Sequence, residues 1–270
     1  MGVVAGACFV LAVVFLREAV DRTGRWALVC GFAGTALVAL GAGRVDFAGG
    51  SDAHRRTAAK LGAGADVKNK VRFAWWGAEE LGLLGSDHYV ADLQANDPAA
   101  LDDIATYLNF DMIASPNHII GVYDADESTY EAPVEVPEGS ADIEAVLTDY
   151  FDGIDQAWVD TEFSGRSDYS AFIANGVPAS GLFTGADGTK TAAEVEMFGG
   201  TEGVTYDPNY HTAKDDITNI NREALDIMSD AVGYATMSLA LDTRAVNGKR
   251  SAGKSGKPHP QETKGDKAAA

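Results

Sequence analysis

The amino-acid sequence predicts an α/β domain running from residue 56 to about Arg244. Short apolar runs alternate with amphipathic stretches through this region. Turn-forming segments such as "NGVPAS" separate them. The region closes on a long stretch whose apolar residues recur at helical spacing. At 270 residues the chain is long enough for one large α/β domain with a buried core.

Taken in order, Gly2 to Leu16 and Trp26 to Gly43 are apolar, with the charged "REAVDRTGR" between them. Each run is shorter than the roughly 20 residues a membrane-spanning helix needs. The first has the apolar core of a signal peptide without its basic leading region. Residues 1–55 are therefore read apart from the domain, as a signal or membrane segment or as frame-shifted sequence. Val71–Trp76 and Tyr107–Ile113 read as buried strands, Gly121–Tyr123 as a shorter one and Gly181–Thr184 as another. Leu225, Met228, Val232, Ala235 and Leu239 recur at spacings of 3, 4, 3 and 4 behind Asn221, a good N-cap residue. That helix is expected to lie flat on the sheet. Residues 245–270 are rich in Lys, Gly, Ser and Pro and read as a disordered basic tail.

Net charge is −19, and between Val71 and Arg244 the chain has 33 Asp/Glu against 6 Lys/Arg. Such a surface repels nucleic acid and suits a strongly hydrated secreted or salt-adapted protein. The two cysteines, Cys8 and Cys30, stand in apolar runs outside the acidic block, which excludes a disulfide framework and a thiolate metal site.

Chemistry is concentrated in three places. In "VRFAWWGAEELGLLGSDHYV" an apolar strand ends on a glycine turn and two adjacent glutamates, Glu79 and Glu80. That puts both acids at the carboxyl edge of a sheet, where open α/β folds build their sites. Neighbours on a helical turn point about 100° apart, so one can bind a metal while the other faces a water. A solvated helix start favoured by the dipole is the alternative. In "YLNFDMIASPN", Asp111 ends a strand and shares a face with Asn109. In "YDPNYHTAKDDITNIN", Tyr210 and His211 are adjacent in a turn-rich loop. Glu, Asp and His together make a nitrogen and oxygen ligand set suited to hydrolytic zinc.

The blocks "RFAWWGAEELGLLGS", "YLNFDMI", "GRSDY", "GVPASGLFTGA" and the Tyr-His pair, in that order, resemble the di-zinc aminopeptidases of the secreted bacterial leucine-aminopeptidase type, relatives of glutamate carboxypeptidase. The resemblance spans roughly Lys60 to Asp242. It implies a mixed, mostly parallel sheet flanked by helices on both faces, lacking its N-terminal part. By the same resemblance Glu79 is the general base, Glu80 and His211 ligate one zinc, and Asp111 ligates the other. Tyr210 would hydrogen-bond the oxyanion, Arg166 would lie near the product carboxylate, and Phe183 would line a pocket for large apolar first residues. Peptide substrates, a monomer and an extracellular or cell-surface location complete that expectation. Calcium at Asp226 and Asp230 is a further one.

The family's upstream His-x-Asp is absent before Glu79. Asp46 stands near the family spacing for the bridging aspartate, among different neighbours. The expectation is thus an exopeptidase short of metal ligands, with impaired activity. A non-catalytic peptide-binding module and a membrane-tethered divergent peptidase are the alternatives.

Overall fold

The computed structural model describes a strand at Leu11–Leu16 and the span Val67–Asn247. Cys8, Cys30, Asp46, the second apolar run and the tail beyond Asn247 lie outside the described residues. The strands are β1 (Leu11–Leu16), β2 (Lys70–Trp75), β3 (Ile104–Phe110), β4 (Gly121–Tyr123), β5 (Val159–Thr161) and β6 (Ala179–Phe183). They form one sheet in the order β2-β1-β3-β6-β4-β5. The sheet is mixed, as expected. β3 runs parallel to β6 and β4 to β5, while β1 is antiparallel to both neighbours and β4 is antiparallel to β6. β3 and β6 approach so closely that a Cβ on Gly181 would lie 1.9 Å from the Asn109 carbonyl oxygen. Only glycine fits there.

The expected strands are present with shifted bounds. β2 begins one residue early and is an edge strand: Val71 alone is buried, and Trp75 is 40% exposed. β3 is buried throughout but stops at Phe110, three residues before the expected Ile113. Asp111 starts a turn and Met112 takes a left-handed φ of 50°, which extended pairing does not allow. β6 starts two residues early and ends at Phe183, before Gly185 turns the chain at φ 92°.

Helices cover both faces. α1 (Leu84–Asn96), α2 (Pro98–Asp102) and α4 (Ser170–Ile173) lie in chain order with α3 (Ser140–Gly153), α5 (Ala192–Phe198), α6 (Arg222–Leu241) and the short α7 (Arg244–Asn247). On one face Leu108, Phe110, Val122 and Leu182 pack against Ile143, Leu147 and Phe151 of α3 and Met228 and Leu239 of α6. On the other, Tyr107, Tyr123 and Ala179 pack with Val90, Phe163, Tyr169 and Phe172. The split follows the two-residue period of the strands. Among the described residues no helix is long and apolar enough to cross a membrane.

Asn221 caps α6 as expected, its side chain accepting from the Glu223 and Ala224 amides. The buried stripe is Ala224, Met228, Ala231, Ala235 and Leu239, leaving Leu225 and Val232 half-buried. Alanines at the contact let the helix sit close to the sheet. The tail read from residue 245 begins later, because Val246 and Asn247 are buried in α7 and Asn247 Nδ2 donates to the Ala105 carbonyl at 2.8 Å.

Between β4 and α3 three acids converge: Asp124, Glu144 and Asp160 offer oxygens within 4.8 Å of one another. Asp124 accepts the Ser128, Thr129 and Tyr130 amides, and Glu144 accepts those of Ala125 and Asp126. These bonds fix the loop after β4. Burial, helped by Asp126 and Asp124 and opposed by the two amides, pushes Glu144 up to about 7. The folded state therefore binds more protons than the unfolded chain between pH 4.5 and about 7. This group's contribution to stability is full below that window and is lost as pH rises through it. Glu144→Gln is expected to flatten that part of the profile, as read by urea midpoints across the same range.

Candidate active site

The Glu79–Glu80 turn is built from strained backbone. β2 ends at Trp75, and after Trp76 and Gly77 the chain enters a single 3-10 turn, Glu79–Leu81. Ala78, Gly82 and Leu83 around it all have left-handed φ, at 59°, 99° and 58°. Two of these are not glycine, and such residues persist only where surrounding contacts hold them. One contact is steric: a Cβ on Gly85 would stand 2.6 Å from the Gly77 carbonyl oxygen, so the start of α1 folds back onto the strand end.

The turn opens on a cleft of about 690 Å3 at the carboxyl ends of β3 and β6. Glu79, Glu80 and Asp111 line it from the turn and the end of β3. Arg166 and Phe183 line it from the loop before α4 and the end of β6, and Tyr210 and His211 from the loop before α6. Seven of the eight residues singled out by sequence thus meet in one place; the eighth, Asp46, lies outside the described residues.

Within the cleft Glu80 Oε1 and His211 Nε2 are 2.7 Å apart. The Tyr210 ring stacks on His211 with centroids 3.7 Å apart, and His211 has a left-handed φ of 57°. Asp111 Oδ2 accepts from Ser167 Oγ at 2.8 Å, and that oxygen in turn accepts from Asn109 Nδ2 at 2.9 Å. The shared face of Asn109 and Asp111 has this consequence: both side chains meet one serine from the "GRSDY" loop. Burial first, and then the charges of Asp111, Glu80 and Asp168, push Glu79 up to about 8, with Arg166 pulling the other way.

Sequence reasoning gave a role only to Arg166 in "GRSDY", and missed Ser167 and Asp168. It also missed Glu162, Asp187 and Tyr206, which line the cleft. The signal for Ser167 was present, a hydroxyl beside a carboxylate in a motif already marked. Glu162 and Asp187 had none, being two among many acids.

The set has oxygen and nitrogen donors and no thiolate. Glu80 with His211 makes one pair of donors converging on a point, and Asp111 makes another donor across the cleft. A carboxyl group that three acids and burial hold near pH 8 stands beside them. Such crowding of like charge is relieved by cations or by protons. In metal-free protein, Glu79 is expected to titrate near pH 8 by carbon-13 carboxyl NMR. Asp111→Asn should move that midpoint down by removing the larger of the charge effects.

The model of peptidase family M28 matches residues 29–236, beginning inside the stretch read from sequence as separate from the domain. Two similar curated relatives are probable leucine aminopeptidases 2. The one from Aspergillus oryzae is 49% identical over 180 residues, covering 67% of this chain and 35% of its own. The one from Aspergillus fumigatus is 52% identical over 174 residues, covering 64% and 34%. The chain thus spans about a third of the length of these relatives. Among solved structures, a zinc aminopeptidase from Bacillus subtilis is matched at TM-score 0.49 and 24% identity, over 69% of this chain and 40% of that one. With the family match covering most of the chain, and the paired glutamates, Asp111 and the Tyr-His pair meeting in one cleft, the chain belongs to peptidase family M28.

Proposed function

We propose that this chain carries the catalytic site of a metal-dependent aminopeptidase that removes large apolar residues from peptide N-termini. The observation that carries the reading is the convergence of Glu79 with the Glu80–His211 pair and Asp111 in one cleft. The donor set fits zinc: Glu80 and His211 would hold one ion and Asp111 a second. Zinc bound there supplies positive charge that polarises a scissile carbonyl and acidifies a water. The protein's own residues do the rest. Glu79 takes a proton from the attacking water and returns it to the leaving amine. Tyr210 donates to the developing oxyanion. Phe183 offers an apolar wall to the first side chain, and Arg166 a cation to the product carboxylate.

Among the described residues this leaves two protein ligands for one metal and one for the other, against the three that a catalytic zinc normally has. Asp46 falls inside the family match and is the candidate for a further ligand. We infer weak zinc retention and low turnover for the chain as given. Calcium at Asp226 and Asp230 is carried forward on their half-buried positions one turn apart on α6. An acidic surface and homology to leucine aminopeptidases favour a secreted monomer acting on peptides.

Zinc-loaded protein should hydrolyse leucine p-nitroanilide, and a chelator should stop it. Glu79→Gln should lower kcat by about 10²–10⁴-fold while zinc content, measured by atomic absorption, stays at the wild-type level. Hydrolysis indifferent to both chelator and Glu79 would end this reading, and peptide affinity independent of metal would point to a binding module instead.

A further inference from the structure

We propose that Asp168 and Ser86 form a buried clip that positions the Glu79–Glu80 turn against the loop carrying Ser167, with Asp168 as the hydrogen-bond donor. Both side chains are fully buried. Ser86 Oγ lies within hydrogen-bond reach of Asp168 Oδ1, and 3.1 Å from the carbonyl oxygen of Leu83. The two residues are 82 positions apart in sequence. Their bond is therefore a tertiary tie from the start of α1 to the loop between β5 and α4.

The direction of the bond follows from counting protons. A serine hydroxyl has one proton and here faces two oxygens. If Asp168 were the acceptor, the proton would be shared with the Leu83 carbonyl. If Asp168 keeps its own proton, it donates to Ser86 Oγ and Ser86 donates onward to Leu83, so each group has a partner. The other carboxyl oxygen, Oδ2, is enclosed with no hydrogen-bond partner. A bare anionic oxygen in that position would be costly, whereas the carbonyl oxygen of a neutral acid is far less so. Burial above all, opposed by the Ser86 bond and reinforced by Asp111 and Asp87, moves the Asp168 carboxyl in the same direction, up to about 6.

The tie acts where position matters. The chain that carries Glu79 is left-handed at Ala78, Gly82 and Leu83, and Leu83 is the residue whose carbonyl Ser86 meets. One residue before Asp168, Ser167 holds Asp111. The clip thus fixes Glu79 and Glu80 relative to Asp111, and Asp168 is a positioning residue that touches none of the reacting atoms.

The kinetic arm of its test rests on the aminopeptidase reading, and the exchange arm does not. In zinc-loaded full-length protein, Asp168→Asn keeps a donor toward Ser86 and should retain kcat on leucine p-nitroanilide within about two-fold. Asp168→Ala and Ser86→Ala should lose about 10–100-fold in kcat, the usual range for groups that orient metal ligands, with KM little changed. Hydrogen–deuterium exchange should be faster in residues 79–87 of both alanine variants, normal there in Asp168→Asn, and unchanged in β3 and α6 of all three. The proposal is overturned if Asp168→Asn behaves like Asp168→Ala, or if neither alanine variant loosens residues 79–87. If the wild-type protein hydrolyses nothing, the aminopeptidase reading fails and the exchange pattern still decides the clip.

Discussion

Negative charge gathered at the carboxyl ends of the strands is the constraint on which the rest of the structure depends. Strand ends are where side chains leave the apolar sheet and meet one another across a crevice. Here β2 delivers Glu79 and Glu80, and β3 delivers Asp111, with Arg166 and His211 as the only basic residues along the cleft wall. Glu79 responds by rising to about 8. A scaffold that forces carboxylates together must hold them firmly, since repulsion alone would splay the loops. The holding is visible: Ser167 on Asp111, His211 on Glu80, and Ser86 with Asp168 beneath the turn.

Beneath these polar ties lies an aromatic floor. Tyr107 stacks on Phe172 with centroids 4.1 Å apart, and Trp76 packs against Tyr89 and Phe172 at 5.1 and 6.0 Å. Trp76 Nε1 donates to the Tyr107 hydroxyl at 2.9 Å. β2, β3, α1 and α4 therefore meet through rigid rings with few rotatable bonds. Rings of this kind contribute about 0.5–1.5 kcal/mol per favourable pair beyond area burial. The "WW" of the sequence divides its labour, with Trp75 on the outer face of the edge strand and Trp76 in this floor.

What the sequence made legible was whatever local pattern controls. The period of 3 and 4 marked α6 and its Asn221 cap, and apolar runs ending in acids marked β2 and β3 with their site residues. Bounds were misplaced where a single backbone conformation decides, as at Met112, whose left-handed φ ends β3 and which no propensity reveals. The β1 strand and its place between β2 and β3 were invisible, because pairing partners are chosen by the whole sheet. Asp168 and Ser86 were illegible for the same reason: two small polar residues far apart in sequence become a pair only once α1 and α4 share a face. The three convergent acids near β4 were hidden by abundance, since each is one of 40 Asp/Glu in the chain.

The groups that raise Glu79 are also the groups proposed as ligands, and this ties base strength to cation binding. Asp111 and Glu80 rank directly behind burial among the causes that push Glu79 upward. Positive charge placed on those two carboxylates would cancel both effects and leave burial opposed by Arg166. Near neutral pH Glu79 would then give up the proton that it otherwise keeps. A general base works best with its pKa close to the working pH, and the cleft approaches that condition only when its cations are in place. By linkage the converse holds, since protonating Glu79 and binding a cation beside it compete for the same negative potential. The acid crowding therefore serves two ends at once: it draws cations into the cleft and keeps the base idle until they arrive.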